Sequence, residues 1–137
     1  MKFKKTKNIE SDLQKEISIF YCANFYFNTV LCEYNMWDFI EKQEKITGKL
    51  LDSLLKKRAG KLRIDVFDVT KNLVLEIDGE QHNKFNSFFH KTIGDFDRQN
   101  MNDNIKEVIC DFFEVKLVRV NKVNYKEVIV DLMLNLT

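Results

Sequence analysis

The sequence predicts one mixed α/β (α+β) domain, in which a small mixed β-sheet is flanked by helices. Apolar residues recur at three- and four-residue spacing in several long segments, as they do in amphipathic helices. Residues 62–78 instead alternate apolar and polar side chains, which is typical of strands. Because both patterns occur in a chain of 137 residues, we expect a single domain over residues 1–137.

The N-terminal part of the domain, residues 10–58, predicts helices. Residues 10–24 have an apolar stripe at helical spacing. Residues 25–34 mix aromatic and β-branched side chains and fit either a continuation of this helix or a strand. Residues 37–58 return to the helical pattern, and Gly48 marks the point where we expect an interruption.

The core of the domain is expected over residues 62–120. Two strands joined by a short turn predict an antiparallel hairpin, because polar residues of turn type separate two alternating runs. The remaining pattern predicts a loop, a helix, a strand and a C-terminal helix. The expected ranges are strands at 62–68 and 73–78, a loop at 82–94, a helix at 95–112, a strand at 114–120 and a helix at 125–136.

Composition excludes several classes of protein. Hydrophobic residues make up 45% and charged residues 31%, with a net charge of +1, as in ordinary globular proteins. No apolar run approaches the length of about 20 residues that crosses a bilayer, and no signal-peptide pattern follows the basic N-terminus. Three cysteines without C-x-x-C spacing predict free thiols in a reducing compartment. We therefore expect a cytoplasmic protein without membrane contact, and the proline-free, Lys- and Asn-rich composition is typical of phage or virus genes.

Acidic residues are concentrated on the predicted hairpin. Asp65 lies on its first strand, and Glu76 and Asp78 lie on one face of the second. Carboxylates on adjacent strands repel each other, and a divalent cation such as Mg²⁺ would remove that cost. His82 follows four residues after Asp78 and could act on a water or a phosphate. The alternative is an ordinary solvent-exposed acidic hairpin face.

These residues resemble a known family. Asp65, followed eleven residues later by Glu76-Ile77-Asp78-Gly79 and then by Gln81-His82, resembles the core of the PD-(D/E)XK (restriction-endonuclease-like) superfamily. The similar branch contains very-short-patch-repair endonucleases and phage homing endonuclease domains. The segments Asp103–Cys110 and Leu117–Val120 resemble the helix and the strand that follow in that branch. The resemblance covers about residues 62–120 and implies a restriction-endonuclease-like core.

The resemblance implies a role for each residue of this set. Asp65 and Glu76 would hold Mg²⁺, which Mn²⁺ can replace, together with the carbonyl oxygen of Ile77. His82 would orient or deprotonate the attacking water or contact the scissile phosphate. Related enzymes use a glutamate of the first helix, for which Glu16 is the better candidate here and Glu10 the other. Asp78 stands where the superfamily has its lysine, so the charge-stabilising role would pass to another group, with His82, Lys84 and Arg98 as candidates.

Function is expected to involve DNA. Basic residues beside the predicted site would contact phosphates, namely Lys57, Arg58, Lys61, Arg63, Lys84 and Arg98. The first expectation is a metal-dependent DNA endonuclease or nickase that hydrolyses phosphodiester bonds and needs no small-molecule cofactor. A resolvase of Holliday junctions or branched DNA, which would be a homodimer, and a non-catalytic DNA- or protein-binding module are the alternatives.

Overall fold

The fold is described from a computed structural model, which covers residues 9–79 and 93–135, with side chains for residues 12–79 and 101–135. Within these residues the chain forms five helices and a four-stranded sheet, so the predicted mixed α/β class is confirmed. The elements are α1 (Ile9–Asn24), β1 (Val30–Asn35), α2 (Met36–Thr47), α3 (Ser53–Ala59), β2 (Arg63–Asp68), β3 (Leu73–Ile77), α4 (Ile93–Phe112), β4 (Lys116–Val120) and α5 (Tyr125–Asn135).

The sheet has the strand order β1-β2-β3-β4. β1 and β2 are antiparallel, β2 and β3 form the predicted antiparallel hairpin, and β3 and β4 are parallel. The parallel pair requires a crossover, which α4 lies within. β3 is one of the two inner strands and is buried along its whole length, because helices cover both of its faces.

One hydrophobic core lies on each side of the sheet. The first contains Phe67 and Val74 of the sheet packed against α2, α3 and α4. The second contains Val66 and Leu75 packed against α1 and α5. Along β3 neighbouring side chains alternate between these cores, whereas in β2 Ile64 belongs to the first core and Val66 to the second, so the alternation is interrupted at Asp65. The sheet is therefore the middle layer of three.

The structure decides the conformation of two N-terminal segments that the sequence left open or predicted differently. Residues 25–34, which fitted a helix or a strand, contain a turn and then β1. Residues 37–58, expected as one helix with an interruption, form two helices. Gly48 has a φ of 76° and its N–H donates to the carbonyl oxygen of Glu44, which ends α2. A left-handed residue at this position turns the chain away from the helix axis.

The C-terminal half agrees with the prediction except at element ends. α4 begins at Ile93, two residues before the expected start, and β4 begins at Lys116 instead of residue 114. Glu114 has a φ of 58°, which is incompatible with extended strand geometry and delays the start of β4. The predicted loop over residues 82–94 lies outside the described residues as far as residue 92.

None of the described helices combines the length and the apolar character that a membrane span requires.

Candidate active site

Asp65 and Glu76 meet where β2 and β3 separate. The last β2–β3 pair in register is Val66 with Leu75. Beyond this pair, backbone N–H groups donate to the side-chain carboxylates of Asp65 and Glu76 rather than to carbonyl oxygens of the opposite strand. The Asp65 N–H donates to Oε2 of Glu76 at 2.9 Å, and the Ile77 N–H donates to Oδ2 of Asp65 at 2.8 Å. Each carboxylate thus accepts a hydrogen bond from the opposite strand, which fixes both side chains relative to the backbone. The predicted proximity of Asp65 and Glu76 is confirmed.

Glu76 is a buried acid whose charge is balanced by Lys106. Only 3% of the residue is exposed, and an isolated carboxylate at such a position would be strongly unfavourable. Lys106, on α4, donates from Nζ to Oε1 of Glu76 at 2.6 Å. Burial by itself lowers the pKa of Lys106, but the charges of Glu76 and Asp65 outweigh it and raise the pKa above its ordinary value. The site therefore contains a permanent ammonium ion beside two carboxylates.

Helix α1 contributes Gln14 to the site. Its Nε2 donates to Oδ1 of Asp65 at 2.9 Å, and seven residues later the Tyr21 hydroxyl donates to the buried Asp68 at 2.6 Å. Seven helical residues and three strand residues both span about 10 Å. The spacing from Gln14 to Tyr21 on α1 therefore matches the spacing from Asp65 to Asp68 on β2, and α1 lies along that strand. Glu16, the glutamate favoured from the sequence, does not face Asp65. It is exposed, and its Oε2 accepts a hydrogen bond from the hydroxyl of Tyr125 on α5.

Asp78 is paired with Arg119 of β4. Nη1 of Arg119 donates to Oδ1 of Asp78 at 3.2 Å, Nε donates to Glu107, and Nη2 donates to the carbonyl oxygen of Asp103. The guanidinium therefore links the end of β3 to α4. The charge of Asp78 is thus balanced by a cation from the neighbouring strand.

Charged residues form one row across the sheet. Asp65 lies opposite Glu76 when the β2–β3 register is extended by one residue, and Glu76 pairs with Arg119. On the other side Glu33 of β1 stands opposite Asp65, between the pairs Cys32–Val66 and Tyr34–Ile64. Glu33 has a φ of 51°, which interrupts the ladder there. The row brings three acids and one arginine to the same level of the sheet.

The other residues predicted from the sequence are placed as follows. All four basic residues before Asp65 are exposed: Lys57 and Arg58 on α3, Lys61 in the turn after it, and Arg63 at the start of β2. Arg63 donates to the carbonyl oxygen of Glu33, and Arg58 contacts the sulfur of Met101. His82 and Lys84 lie outside the described residues, as do the side chains of Glu10 and Arg98.

Few ligands for a metal ion lie together among the described side chains. They contain no group of three or more His, Cys, Asp or Glu residues placed to hold a metal. Asp65 and Glu76 supply two carboxylates of the hard oxygen type that Mg²⁺ prefers. Mg²⁺ is commonly held by one or two protein carboxylates with water and substrate phosphate completing the octahedron, so this pair fits that mode of binding.

Comparison of the chain with protein-family models, with curated proteins and with solved structures gave no match.

Sequence reasoning identified Asp65 and Glu76 but missed Lys106 and Gln14 as their partners. Lys106 lies one helical turn before the buried Ile109 and Cys110 and is therefore on the inward side of α4. A lysine on an inward helix stripe was the signal that could have found it. Gln14 carried no comparable signal, because uncharged polar residues are common on half-buried helix faces.

Proposed function

We propose that the chain is a metal-dependent DNA endonuclease or nickase that hydrolyses phosphodiester bonds. The observation that carries the proposal is the contact of Asp65 and Glu76 on adjacent strands with the Lys106 ammonium 2.6 Å from Glu76. Two carboxylates and one lysine are the groups that a PD-(D/E)XK site needs. The α/β/α layering with a central mixed sheet supports the proposed restriction-endonuclease-like core.

Asp65 and Glu76 would bind the metal ion in this proposal. Glu76 accepts two hydrogen bonds, from Lys106 and from the Asp65 N–H, whereas a carboxylate has about four acceptor positions. Bound Mg²⁺ would polarise the phosphate and make a bound water more acidic. The reciprocal hydrogen bonds to strand N–H groups keep both carboxylates oriented before the metal arrives. The role of the Ile77 carbonyl oxygen as a further ligand belongs to the same proposal.

Lys106 would take the charge-stabilising role that the sequence left to His82, Lys84 or Arg98. Its raised pKa means that the side chain is charged at neutral pH, as electrostatic stabilisation of a phosphate requires. Asp78 cannot supply this charge and is itself held by Arg119. His82 keeps its proposed part as the group that orients or deprotonates the attacking water.

DNA is the proposed substrate and partner. The exposed basic side chains of α3 and the start of β2, which directly precede Asp65 in the chain, would bind phosphates. Arg63 is exposed and lies two residues before Asp65 on the same strand. We place the activity in the cytoplasm as part of the proposal.

A non-catalytic binding module is the second candidate, and one observation favours it. Asp65 and Glu76 are already satisfied by strand N–H groups, Gln14 and Lys106. A set of this kind can be stable as a polar network without a metal ion. Such a module would keep the fold and bind DNA or protein without cleaving it.

The deciding experiment is cleavage of supercoiled plasmid with Mg²⁺ or Mn²⁺, with and without EDTA. Asp65→Asn and Glu76→Gln remove one charge each and keep the size of the side chain. Asp131→Asn makes the same chemical change on the exposed side of α5, away from the site, and is the matched control.

Metal-dependent nicking or linearisation that EDTA and both site variants abolish, and that Asp131→Asn retains, would support the nuclease. Absence of cleavage on plasmid, on mismatched duplexes and on four-way junctions would reject it in favour of the binding module. Cleavage of junctions alone would identify the activity as that of a resolvase.

A further inference from the structure

Helix α4 carries an apolar stripe beside the side that faces the core. Its residues are separated by four, three and four positions, as in the seam of a coiled coil, and are Met101, Ile105, Val108 and Phe112. Ile105 packs partly against the core, whereas Met101, Val108 and Phe112 are 45%, 55% and 38% exposed. Large apolar side chains aligned on an exposed surface are typical of a protein–protein interface.

The flank of this stripe next to α3 is basic. Arg58 of α3 contacts the sulfur of Met101 at one end of the stripe. Lys49 lies at the other end, where its Nζ donates to the carbonyl oxygen of Phe112 at 3.1 Å and stands 5.6 Å from the centroid of the Phe112 ring. A cation therefore borders each end of the stripe on this side.

The opposite flank, next to β4, is acidic. Glu107 and Asp111 lie one helical turn apart on α4, and both are exposed. Nε of Arg119 on β4 donates to Glu107 at 2.8 Å, which fixes the side of α4 on which this flank lies. At about 100° per residue, both acids lie roughly 90–130° around the helix from the stripe. Acids at this position repel DNA phosphates, so the surface favours protein as its ligand.

The unlike charges of the two flanks determine how a second copy of the chain fits on the stripe. A twofold axis parallel to α4 keeps each residue at its height along the helix and exchanges the flanks, so acid meets base. Asp111 and Lys49, which both lie at the C-terminal end of the stripe, are then opposite each other in the two copies. A twofold axis across the helix would instead bring acid to acid and base to base, which is unfavourable.

We propose that the chain forms a symmetric dimer in which two α4 helices pack in parallel along this stripe. Each residue of the stripe then packs against its own counterpart, as core residues of a parallel coiled coil do. The partner is a second copy because the two flanks of one surface are complementary to each other. Lys106 contacts Glu76 on the sheet side of α4, so the dimer contact does not involve the carboxylate pair.

The first measurement is the molar mass of the wild-type chain by sedimentation equilibrium. It covers concentrations from about 1 µM to about 100 µM, since small interfaces commonly assemble in the micromolar range. We expect the mass to rise towards twice the 16.3 kDa of one chain. A mass that stays at that of one chain throughout this range would overturn the proposal, and this result needs no variant.

A matched pair of valine variants tests whether the stripe is the interface. Val108→Lys places a charge in the middle of the stripe, and Val123→Lys makes the same change at an exposed valine outside it. We expect Val108→Lys to raise the dimer dissociation constant on the order of a hundredfold, because the buried charge occurs twice in a symmetric dimer. Val123→Lys should leave the constant unchanged. Both positions are exposed, so both variants should fold, which circular dichroism checks. A dimer that Val108→Lys does not weaken would overturn the proposal.

A charge exchange tests the opposition of Asp111 and Lys49. Asp111→Lys and Lys49→Asp should each raise the dissociation constant on the order of tenfold, because each puts like charges opposite each other. The double variant restores unlike charges and should recover most of the lost affinity. Single losses that simply add in the double variant would contradict the parallel arrangement.

Single cysteines at the two ends of the stripe test the orientation directly. In the parallel dimer, Met101→Cys and Phe112→Cys should each form a disulfide with its own counterpart under mild oxidation. The wild-type chain, which has the same three native cysteines, is the control. Crosslinking only in a mixture of the two variants would indicate an antiparallel dimer and overturn the proposal. None of these results affects the nuclease proposal, because no substituted residue belongs to its site.

Discussion

At the scale of single residues, Lys106 balances the charge of the buried Glu76 beside Asp65. Asp65 and Glu76 could be predicted to meet, because strand periodicity and the hairpin turn are written in local sequence. Their partners could not be predicted in the same way. Lys106 is 30 residues from Glu76 and Gln14 is 51 residues from Asp65, so both contacts depend on how helices pack on the sheet.

Replacing Lys106 tests how strongly the site depends on its charge. Lys106→Met leaves Glu76 buried beside Asp65 without a cation, and breaking a buried pair of this kind costs about 3–5 kcal/mol. We expect the free energy of unfolding, measured in urea, to fall by that amount. Lys122→Met, at an exposed lysine, should change it by less than about 0.5 kcal/mol. A loss below about 1 kcal/mol at Lys106 would mean that Glu76 finds another partner.

Tyr21 predicts a specific dependence of stability on alkaline pH. Burial and its hydrogen bond to Asp68 raise the pKa of Tyr21 above the ordinary value of about 10. Above pH 10 the unfolded chain releases the phenolic proton while the folded chain keeps it, so the unfolded chain binds fewer protons. The contribution of Tyr21 is therefore complete below about pH 10 and is lost as the pH rises further.

The measurement is urea unfolding between about pH 8 and pH 11, compared between variants because lysines titrate in the same range. Tyr21→Phe has no phenolic proton and should show a flatter alkaline decline than the wild type. Tyr26→Phe, at an exposed tyrosine, should follow the wild type. Equal slopes for Tyr21→Phe and the wild type would contradict the expected shift.

Two glycines illustrate how elements end. The sequence indicated a break at Gly48 but not that α3 begins only at Ser53. Gly48 ends α2 because its φ of 76° turns the chain away from the helix axis. Gly60 has helical geometry, but a Cβ atom on it would lie 2.7 Å from Cε3 of Trp37. The first glycine is required by backbone conformation and the second by packing against a side chain.

Alanine at each glycine should therefore destabilise the fold for a different reason. Gly48→Ala places a side chain in open space but in a strained backbone, at a cost of about 1 kcal/mol. Gly60→Ala meets the Trp37 ring. In double-mutant cycles measured by urea unfolding, Trp37→Leu should offset part of the Gly60→Ala loss and none of the Gly48→Ala loss. Equal coupling at the two sites would contradict this distinction.

At the scale of the whole molecule, the row of charged residues from Glu33 to Arg119 crosses all four strands and contacts helices on both sides of the sheet. α1 reaches it through Gln14, and α4 reaches it through Lys106. Arg119 of β4 connects the row to Asp78 and to α4. A ligand that binds Asp65 and Glu76 would therefore act on contacts between the sheet and elements on both sides of it.

Metal binding should accordingly stabilise the whole fold. If the proposed site binds Mg²⁺, the melting temperature should rise with Mg²⁺ concentration, with a gain of about 2.7 kcal/mol at a hundredfold excess over Kd. Asp65→Asn should lose this dependence and Asp131→Asn should keep it. Thermal unfolding curves that Mg²⁺ and Mn²⁺ leave unchanged in the wild type would contradict a metal site on these residues.

The sequence by itself determined the class of the fold, the β2–β3 hairpin, and the meeting of Asp65 with Glu76. These features depend on the spacing of apolar residues and on short turns, which act over a few neighbouring residues. Only the tertiary structure decided that β1 extends the sheet, that Lys106 and Gln14 contact Glu76 and Asp65, and that Glu16 instead contacts Tyr125. Each of these joins separate elements, and helix packing onto a twisted sheet sets which side chains meet there.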